Sequence, residues 1–388
     1  MSREPAPLAS LAAFAGYRWL VVGTVCIGAF LGQLDASIAT LVLPTLEQVF
    51  QAPTAAVEWV AISYLLTLAG LVVIFGRLAD MAGRKLLYNA GFLVFIAGSA
   101  LCGMASGLGS LIVFRVFQAV GAAMLQSNSV AIITAAVPRR ELGRAIGVQG
   151  AAQAVGLSIG PSVGGFLIAA FGWQWVFYIS VPFGLLGTVV AWFVLPRTER
   201  FDKGAKQRFD WLGAVILTTA IALALFALTF GNSWGWASPR LLAAVVASAL
   251  ALAIFGWIER RAKFPLLDFQ LFRSRVFSAG ILSGLFSYAV LFGALFLLPF
   301  YLQRILQHDP AGTGLLLTVI PVAIAILAPV SGLLADRIGT RLPTVLGMAI
   351  AAGALLALTL KAGLSTGQLV AVCALFGVGL GLFTPANN

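Results

Sequence analysis

Twelve apolar stretches of membrane-spanning length follow one another along the 388-residue chain, separated mostly by short polar loops. They fall at about 18–43, 55–76, 86–106, 110–135, 143–170, 174–195, 211–230, 240–258, 276–302, 312–334, 342–361 and 367–386. Roughly 20 apolar residues suffice for a helix to cross the hydrocarbon of a bilayer. A soluble domain carries about a quarter charged residues, whereas here 10% are charged and 61% hydrophobic. The class is all-α integral membrane.

The net charge of +11 invites a nucleic-acid reading, but the basic residues sit in loops too short to form a DNA-binding module. They are a topology signal instead. With the amino terminus inside, 20 of the 24 lysines and arginines lie in the cytoplasmic loops, and only Arg240, Arg304 and Lys361 lie outside. Arg115 falls within a segment. The bias predicts a multi-pass protein with a cytoplasmic amino terminus. The run from Trp19 to Leu43 is too long for the core of a signal peptide and is interrupted by Asp35, so it reads as a retained first helix. Three cysteines, Cys26, Cys102 and Cys373, all lie in apolar runs and give neither a disulfide framework nor metal-ligand spacing. His308, the single histidine, reads as a solvated loop residue beside Asp309.

The chain repeats itself. Gly76-Arg77-Leu78-Ala79-Asp80-Met81-Ala82-Gly83-Arg84-Lys85-Leu86 returns 256 residues later as Gly332-Leu333-Leu334-Ala335-Asp336-Arg337-Ile338-Gly339-Thr340-Arg341-Leu342. Both copies follow a segment running outward to inward, as a parallel repeat about the membrane normal requires. Two halves of six helices would place the second copy after the eighth segment, yet it follows the tenth. Segments 211–230 and 240–258 are therefore read as an inserted pair behind the charged linker 196–210. The expected organisation is an amino-terminal six-helix bundle over 1–200, linker and inserted helices over 201–262, and four helices of a carboxy-terminal bundle over 263–388. Fourteen helices are then expected with about twelve present, so the chain reads as a fragment lacking two.

The fifth segment carries Gly156, Gly160-Pro161 and Gly164-Gly165, then Phe171-Gly172-Trp173-Gln174-Trp175-Val176-Phe177-Tyr178. Glycines four apart share a helix face and admit a second helix at close range, and Pro161 removes one backbone hydrogen bond. Such a helix suits a joint between moving halves, or a static packing face. The G-x3-G-P-x2-G-G pattern resembles the fifth-helix signature of antiporters of the major facilitator superfamily. The trailing aromatic stretch resembles that of their fourteen-helix drug:proton antiporter branch. The resemblance implies a major facilitator fold, two six-helix bundles with two inserted helices.

Asp35 and Arg115 are the only charged residues well inside apolar segments, and intramembrane charge is a functional hypothesis by default. Leu34-Asp35-Ala36-Ser37-Ile38 through Leu43-Pro44 resembles the branch's first-helix motif, with Ala39 departing at a position usually polar. There the aspartate is implicated in proton or cation handling; a structural partner for a hydroxyl or a helix dipole is the other reading. Arg115 with Gln118, Gly121, Ala122 and Ala123 is similar to the superfamily's fourth-helix pattern, with Ala119 replacing a glycine. Arg115 and Gln118 are three apart and share a face. A cation there can tune a nearby carboxylate, or can anchor packing by bonding to backbone carbonyls.

In the repeated loop, Gly76 and Gly83 are expected to allow a tight turn, and Asp80 to accept backbone donors at a helix start or to pair with Arg84. Resemblance implies a cytoplasmic gate built from Gly76, Asp80, Gly83, Arg84 and Lys85. The second copy, with Asp336 and Arg341, has Thr340 where Arg84 stands and is expected to latch more weakly. Candidates for the substrate cavity are Gln33, Tyr64, Gln118, Gln126, Asn128, Gln149 and Gln153, with Tyr288 and Phe292 in the second half. Where some related exporters carry an acid early in the second helix, this chain has Ala61-Ile62-Ser63. That argues against dicationic substrates.

There is no Walker loop and no nucleophile with its base, so neither a cofactor nor an enzyme reaction is implied. The resemblance implies proton-driven efflux of lipophilic drugs or related small molecules by alternating access in a bacterial inner membrane. Its partners would be substrate, protons and lipid, and in two-membrane bacteria some relatives add a periplasmic adaptor and outer-membrane channel. A proton-coupled importer and a membrane protein that no longer transports stay open as alternatives.

Overall fold

The computed structural model describes residues 4, 6–197, 210–261, 266–267, 269–302, 310–360 and 364–387. Lipid offers no hydrogen-bond partners to the backbone, so an apolar chain crossing it must satisfy its own amides as helix. Among the described residues twelve helices are long and apolar enough to cross a membrane. They are α1 (Tyr17–Phe50), α2 (Trp59–Ala82), α3 (Arg84–Gly103), α4 (Leu108–Ala136), α5 (Leu142–Phe171) and α6 (Trp175–Val194), then α7 (Trp211–Trp234), α8 (Pro239–Glu259), α9 (Arg275–Phe300), α10 (Pro310–Ile338), α11 (Arg341–Leu360) and α12 (Thr366–Asn387). Each expected segment coincides with one helix. The loop holding His308 and most of the linker, 198–209, lie outside the described residues.

Two sequence expectations need correcting. The first segment does not end before Pro44, because α1 continues through it to Phe50. Pro44 removes one hydrogen bond without ending a 34-residue helix that packing supports on both sides of it. Likewise Gly76 lies within α2, and the turn into α3 is made by Gly83 alone, whose φ of 114° a side chain would resist. Gly339 repeats this turn with φ of 86° at the matching position of the second copy.

Packing groups the chain into two compact units, whose boundaries fall within α1, α4 and α5. The first comprises Met1–Phe14, Ile38–Ile132 and Gly164–Gln270. Tyr88, Phe92, Phe95 and Phe177 are fully buried within it. The helices approach closely where side chains are missing: a Cβ on Gly98 would stand 2.5 Å from the Gln118 Cα, and one on Gly187 would stand 2.5 Å from the Phe92 ring. The inserted pair belongs to this unit. Ser248 of α8 donates to the Ala220 carbonyl of α7 at 2.8 Å, and Thr218 of α7 donates to the Gly70 carbonyl of α2 at 3.1 Å.

The second unit comprises Ala15–Ser37, Ile133–Val163 and Leu271–Asn388. Its core centres on Ile320, Ala351, Cys373, Phe376 and Leu380 of α10, α11 and α12. A Cβ on Gly347 would stand 2.5 Å from the Gly379 carbonyl oxygen, so α11 and α12 touch backbone to backbone. The amino-terminal part of α5 packs on α10 in the same way, through Gly143 against Gly332 and Gly147 against Ala328.

Candidate functional site

Arg115 lies two turns into α4 and is 1% exposed, so its charge must be met from inside the protein. Its Nε donates to the Val60 carbonyl of α2 at 3.1 Å, and its Nη1 donates to Gln118 Oε1 at 2.6 Å. Gln118 Nε2 donates onward to Ser99 Oγ of α3 at 2.6 Å, while Cys102 Sγ donates to Gln118 Oε1 at 3.8 Å. Arginine only donates, which fixes the amide with its oxygen towards Arg115. The guanidinium also stacks 4.2 Å from the Tyr64 ring centroid, with Phe177 at 5.7 Å. A desolvated cation–π contact contributes about 2 kcal/mol. Gly98 lets α4 come near enough to α3 for the Ser99–Gln118 bond to form. The carbonyl-anchoring reading of Arg115 is thus met by Val60, and the shared face with Gln118 is used directly.

Asp35 sits near the middle of α1 and is 3% exposed. It belongs to the second unit, together with the part of α5 that carries Gly156. A Cβ on Gly156 would stand 2.6 Å from the Phe30 carbonyl oxygen and 3.1 Å from the Leu34 nitrogen, one turn from Asp35. Ser37 donates to the Leu157 carbonyl at 3.0 Å, closing the same α1–α5 seam. In the first unit Gly164 continues the seam, with Ile38 Cγ2 at 3.0 Å from its hypothetical Cβ. Gly160 is buried, whereas Pro161 and Gly165 are exposed. The glycine face of α5 therefore has α1 as its neighbour.

The two copies of the repeated loop differ in what their aspartates bind. Asp80 Oδ1 accepts from Arg84 Nη2 at 2.9 Å and Nε at 3.1 Å, and Arg84 Nη1 reaches the Ala131 carbonyl of α4 at 3.1 Å. Asp336 accepts backbone amides instead, from Gly143 at 2.8 Å and Arg144 at 2.9 Å. Both options foreseen for Asp80 occur, one in each copy. Lys85 is 1% exposed, and Arg341 is exposed at the start of α11. The cavity candidates separate by burial. Tyr64 and Gln118 are drawn into the Arg115 network, and Asn128 donates to Met124 of its own helix at 2.7 Å. Gln149 is buried, Gln33 and Gln153 are half-buried, and Gln126 is exposed, as are Tyr288 and Phe292.

Several participants were not foreseen from sequence. Ser99, Cys102 and Phe177 complete the Arg115 network, and Gly91 and Gly98, seven apart on α3, were the available signal for that close face. Glu4 is 3% exposed and accepts the Leu86 amide at 3.3 Å, at the start of α3. Among the described residues, no group of three or more metal-ligating side chains gathers.

Residues 25–388 match the family model described as Major Facilitator Superfamily. The chain is 33% identical over 374 residues to a riboflavin transporter of Clostridioides difficile, covering 96% of this chain and 80% of that one. It is 32% identical over 364 residues to the multidrug resistance protein Stp of Mycobacterium tuberculosis, covering 93% of this chain and 67% of the relative. Its fold is similar to that of the human organic anion transporter MFSD10, with a TM-score of 0.68 at 16% identity, over 95% of this chain and 84% of that one. The chain belongs to the major facilitator superfamily and is a membrane transporter of small molecules, not an enzyme.

Proposed function

We propose that the protein is a proton-coupled exporter of lipophilic small molecules, of the fourteen-helix drug:proton antiporter branch, with its amino terminus in the bacterial cytoplasm. Asp35 carries the reading: a carboxylic acid buried near the middle of α1, in the motif Leu34 to Pro44, in a chain similar to a multidrug resistance protein. A group of this kind can hold a proton while the site faces one side of the membrane and release it on the other. Coupling follows if proton and drug each weaken binding of the other. Arg115, locked to Val60, Tyr64 and Gln118, fixes the outer ends of α2 and α4 as one rigid piece while access alternates. The loops around Asp80 and Asp336 act as the cytoplasmic gate. The bundles rock about α5 and its neighbours, and the exposed or half-buried glutamines, Gln33, Gln126 and Gln153, contact substrate.

A second reading has its own support, because the riboflavin transporter is 33% identical over 96% of this chain. On that reading the cargo is a flavin-like vitamin. Both are tested in proteoliposomes carrying the whole protein under an imposed pH gradient, with lipophilic dyes and riboflavin as cargo. Gradient-driven dye export, lost in Asp35→Asn while dye binding persists, supports the first reading. Riboflavin movement without dye movement supports the second. Undiminished proton-driven transport in Asp35→Asn would remove Asp35 from coupling.

A further inference from the structure

The inserted pair of helices carries a constellation that the transport reading leaves unused. Asp210 stands just before α7 and caps it, its Oδ1 accepting the Gly213 amide at 2.8 Å. Glu259 is the last residue of α8 and is 2% exposed, and its Oε1 accepts the Leu267 amide at 2.7 Å. Each carboxylate thus has one oxygen satisfied by backbone. Among the described residues, the remaining oxygens, Asp210 Oδ2 and Glu259 Oε2, are buried and have no hydrogen-bond partner. Both lie beside Gly213. A Cβ on Gly213 would stand 2.5 Å from Asp210 Oδ2 and 3.2 Å from Glu259 Oε2.

Charge makes this arrangement informative. The groups acting electrostatically on Glu259 are Asp210 and Arg77, the latter on α2 within the repeated loop sequence. Arg260 and Arg261 follow Glu259 in the chain, and Arg261 is turned onto the Trp257 ring at 4.2 Å. Among the described residues, two carboxylates against one guanidinium leave an excess negative charge, with two buried oxygens that lack a hydrogen-bond partner. A single positive charge between them removes the repulsion and gives both oxygens a partner. The Gly213 and Leu267 amides already occupy one oxygen of each carboxylate, so a proton fits where a metal ion would find too few free oxygens.

We propose that Asp210 and Glu259 form a proton-binding site, holding one proton shared between Asp210 Oδ2 and Glu259 Oε2 beside Gly213, distinct from Asp35. Its occupancy sets how strongly Glu259 is drawn to Arg77, and so how the end of α8 is held to the gate end of α2. The proposal concerns where a proton resides and stands whether or not the protein exports drugs.

The test is infrared difference spectroscopy of the purified whole protein between about pH 5 and about pH 9, a span that lies above the ordinary titration of carboxyl groups at about pH 4. A protonated-carboxyl band is expected that disappears in Glu259→Gln and equally in Asp210→Asn, because either change leaves the other carboxylate with no like charge to oppose. Both variants keep the oxygen that accepts the backbone amide. The band is expected to survive in Asp35→Asn. Persistence in both variants, or loss in only one, overturns the shared proton. Displacement of the band by sodium chloride at constant pH also overturns it, in favour of a metal-cation site. Should either variant fail to fold, Gly213→Ala, which places a methyl group in the gap, must shift or abolish the band; an unchanged band refutes the site.

Discussion

Asp336 holds the start of α5 with both of its carboxylate oxygens, taking the Gly143 amide at 2.8 Å and the Arg144 amide at 2.9 Å. The first amides of a helix have no partner within it, and a carboxylate there meets both an orphan donor and the positive end of the helix dipole. Asp80, at the matching place in the first copy, instead takes its own neighbour Arg84. The difference lies four residues on, where Thr340 stands in place of Arg84 and leaves Asp336 free to reach across. Glycines at 143 and 332 let the two backbones meet.

Asp336→Ala is therefore expected to cost about 0.5–2 kcal/mol, the usual loss of a helix cap. The drop in Tm of the detergent-solubilised protein measures it. Thr340→Arg is expected to draw Asp336 away from Gly143 and to reproduce most of that drop. No change in either variant would show that the cap contributes nothing.

The α1–α5 seam predicts a contrast between two glycines. Gly156→Ala puts a methyl group 2.6 Å from the Phe30 carbonyl oxygen, whereas a Cβ at Gly23 on α1 meets nothing within 4 Å. The first change is expected to destabilise by about 1–3 kcal/mol, as overpacking does. Gly23→Ala should be neutral or slightly stabilising in the same thermal assay. Equal effects would mean that α1 and α5 do not touch at Gly156.

For Arg115 the decisive comparison is with lysine. Arg115→Lys keeps the charge but lacks the planar fork that serves Val60 and Gln118 together while stacking on Tyr64. A loss on the order of 3–5 kcal/mol is expected for a buried charge stripped of partners. Tyr64→Leu, which removes only the stacked ring, should cost about 2 kcal/mol. Chemical-denaturation midpoints in mixed micelles rank the two. A lysine variant as stable as wild type would contradict the network.

Arg84 offers the opposite case. Its pair with Asp80 is four residues apart on a partly exposed surface, with side-chain exposures of 20% and 44%, and such pairs contribute about 0.3–0.5 kcal/mol. Asp80→Asn should hardly alter thermal stability. If transport falls while stability does not, Asp80 serves gating.

Much of the fold was legible because lipid imposes its own rules. Twelve apolar runs became twelve helices, since a backbone in hydrocarbon has no alternative. The repeat at 256 residues reappears as matching turns at Gly83 and Gly339. Helix ends were less legible. Pro44 reads as a stop in sequence and Gly76 as a turn, yet both lie inside helices, because neighbouring packing outweighs one lost hydrogen bond or one flexible residue. The pairing of Arg115 with Gln118 was visible from their spacing, but Val60, Ser99 and Phe177 were not. They come from other helices, and spacing within one helix carries no information about its neighbours.

What the sequence determined by itself was everything local: which residues cross the membrane, where charge is excluded or tolerated, and where the chain repeats. These follow from each residue's own free energy in lipid or water. Only tertiary structure decided what each charged group holds. Asp80 and Asp336 occupy equivalent positions in near-copies of one motif, yet one grips a side chain and the other a helix start 193 residues away. Asp210 and Glu259, unremarked in the chain and 49 positions apart, both lie against Gly213. A hydrogen bond depends on ångström-scale approach between distant segments. That approach is set by how helices pack, which no single stretch of sequence encodes.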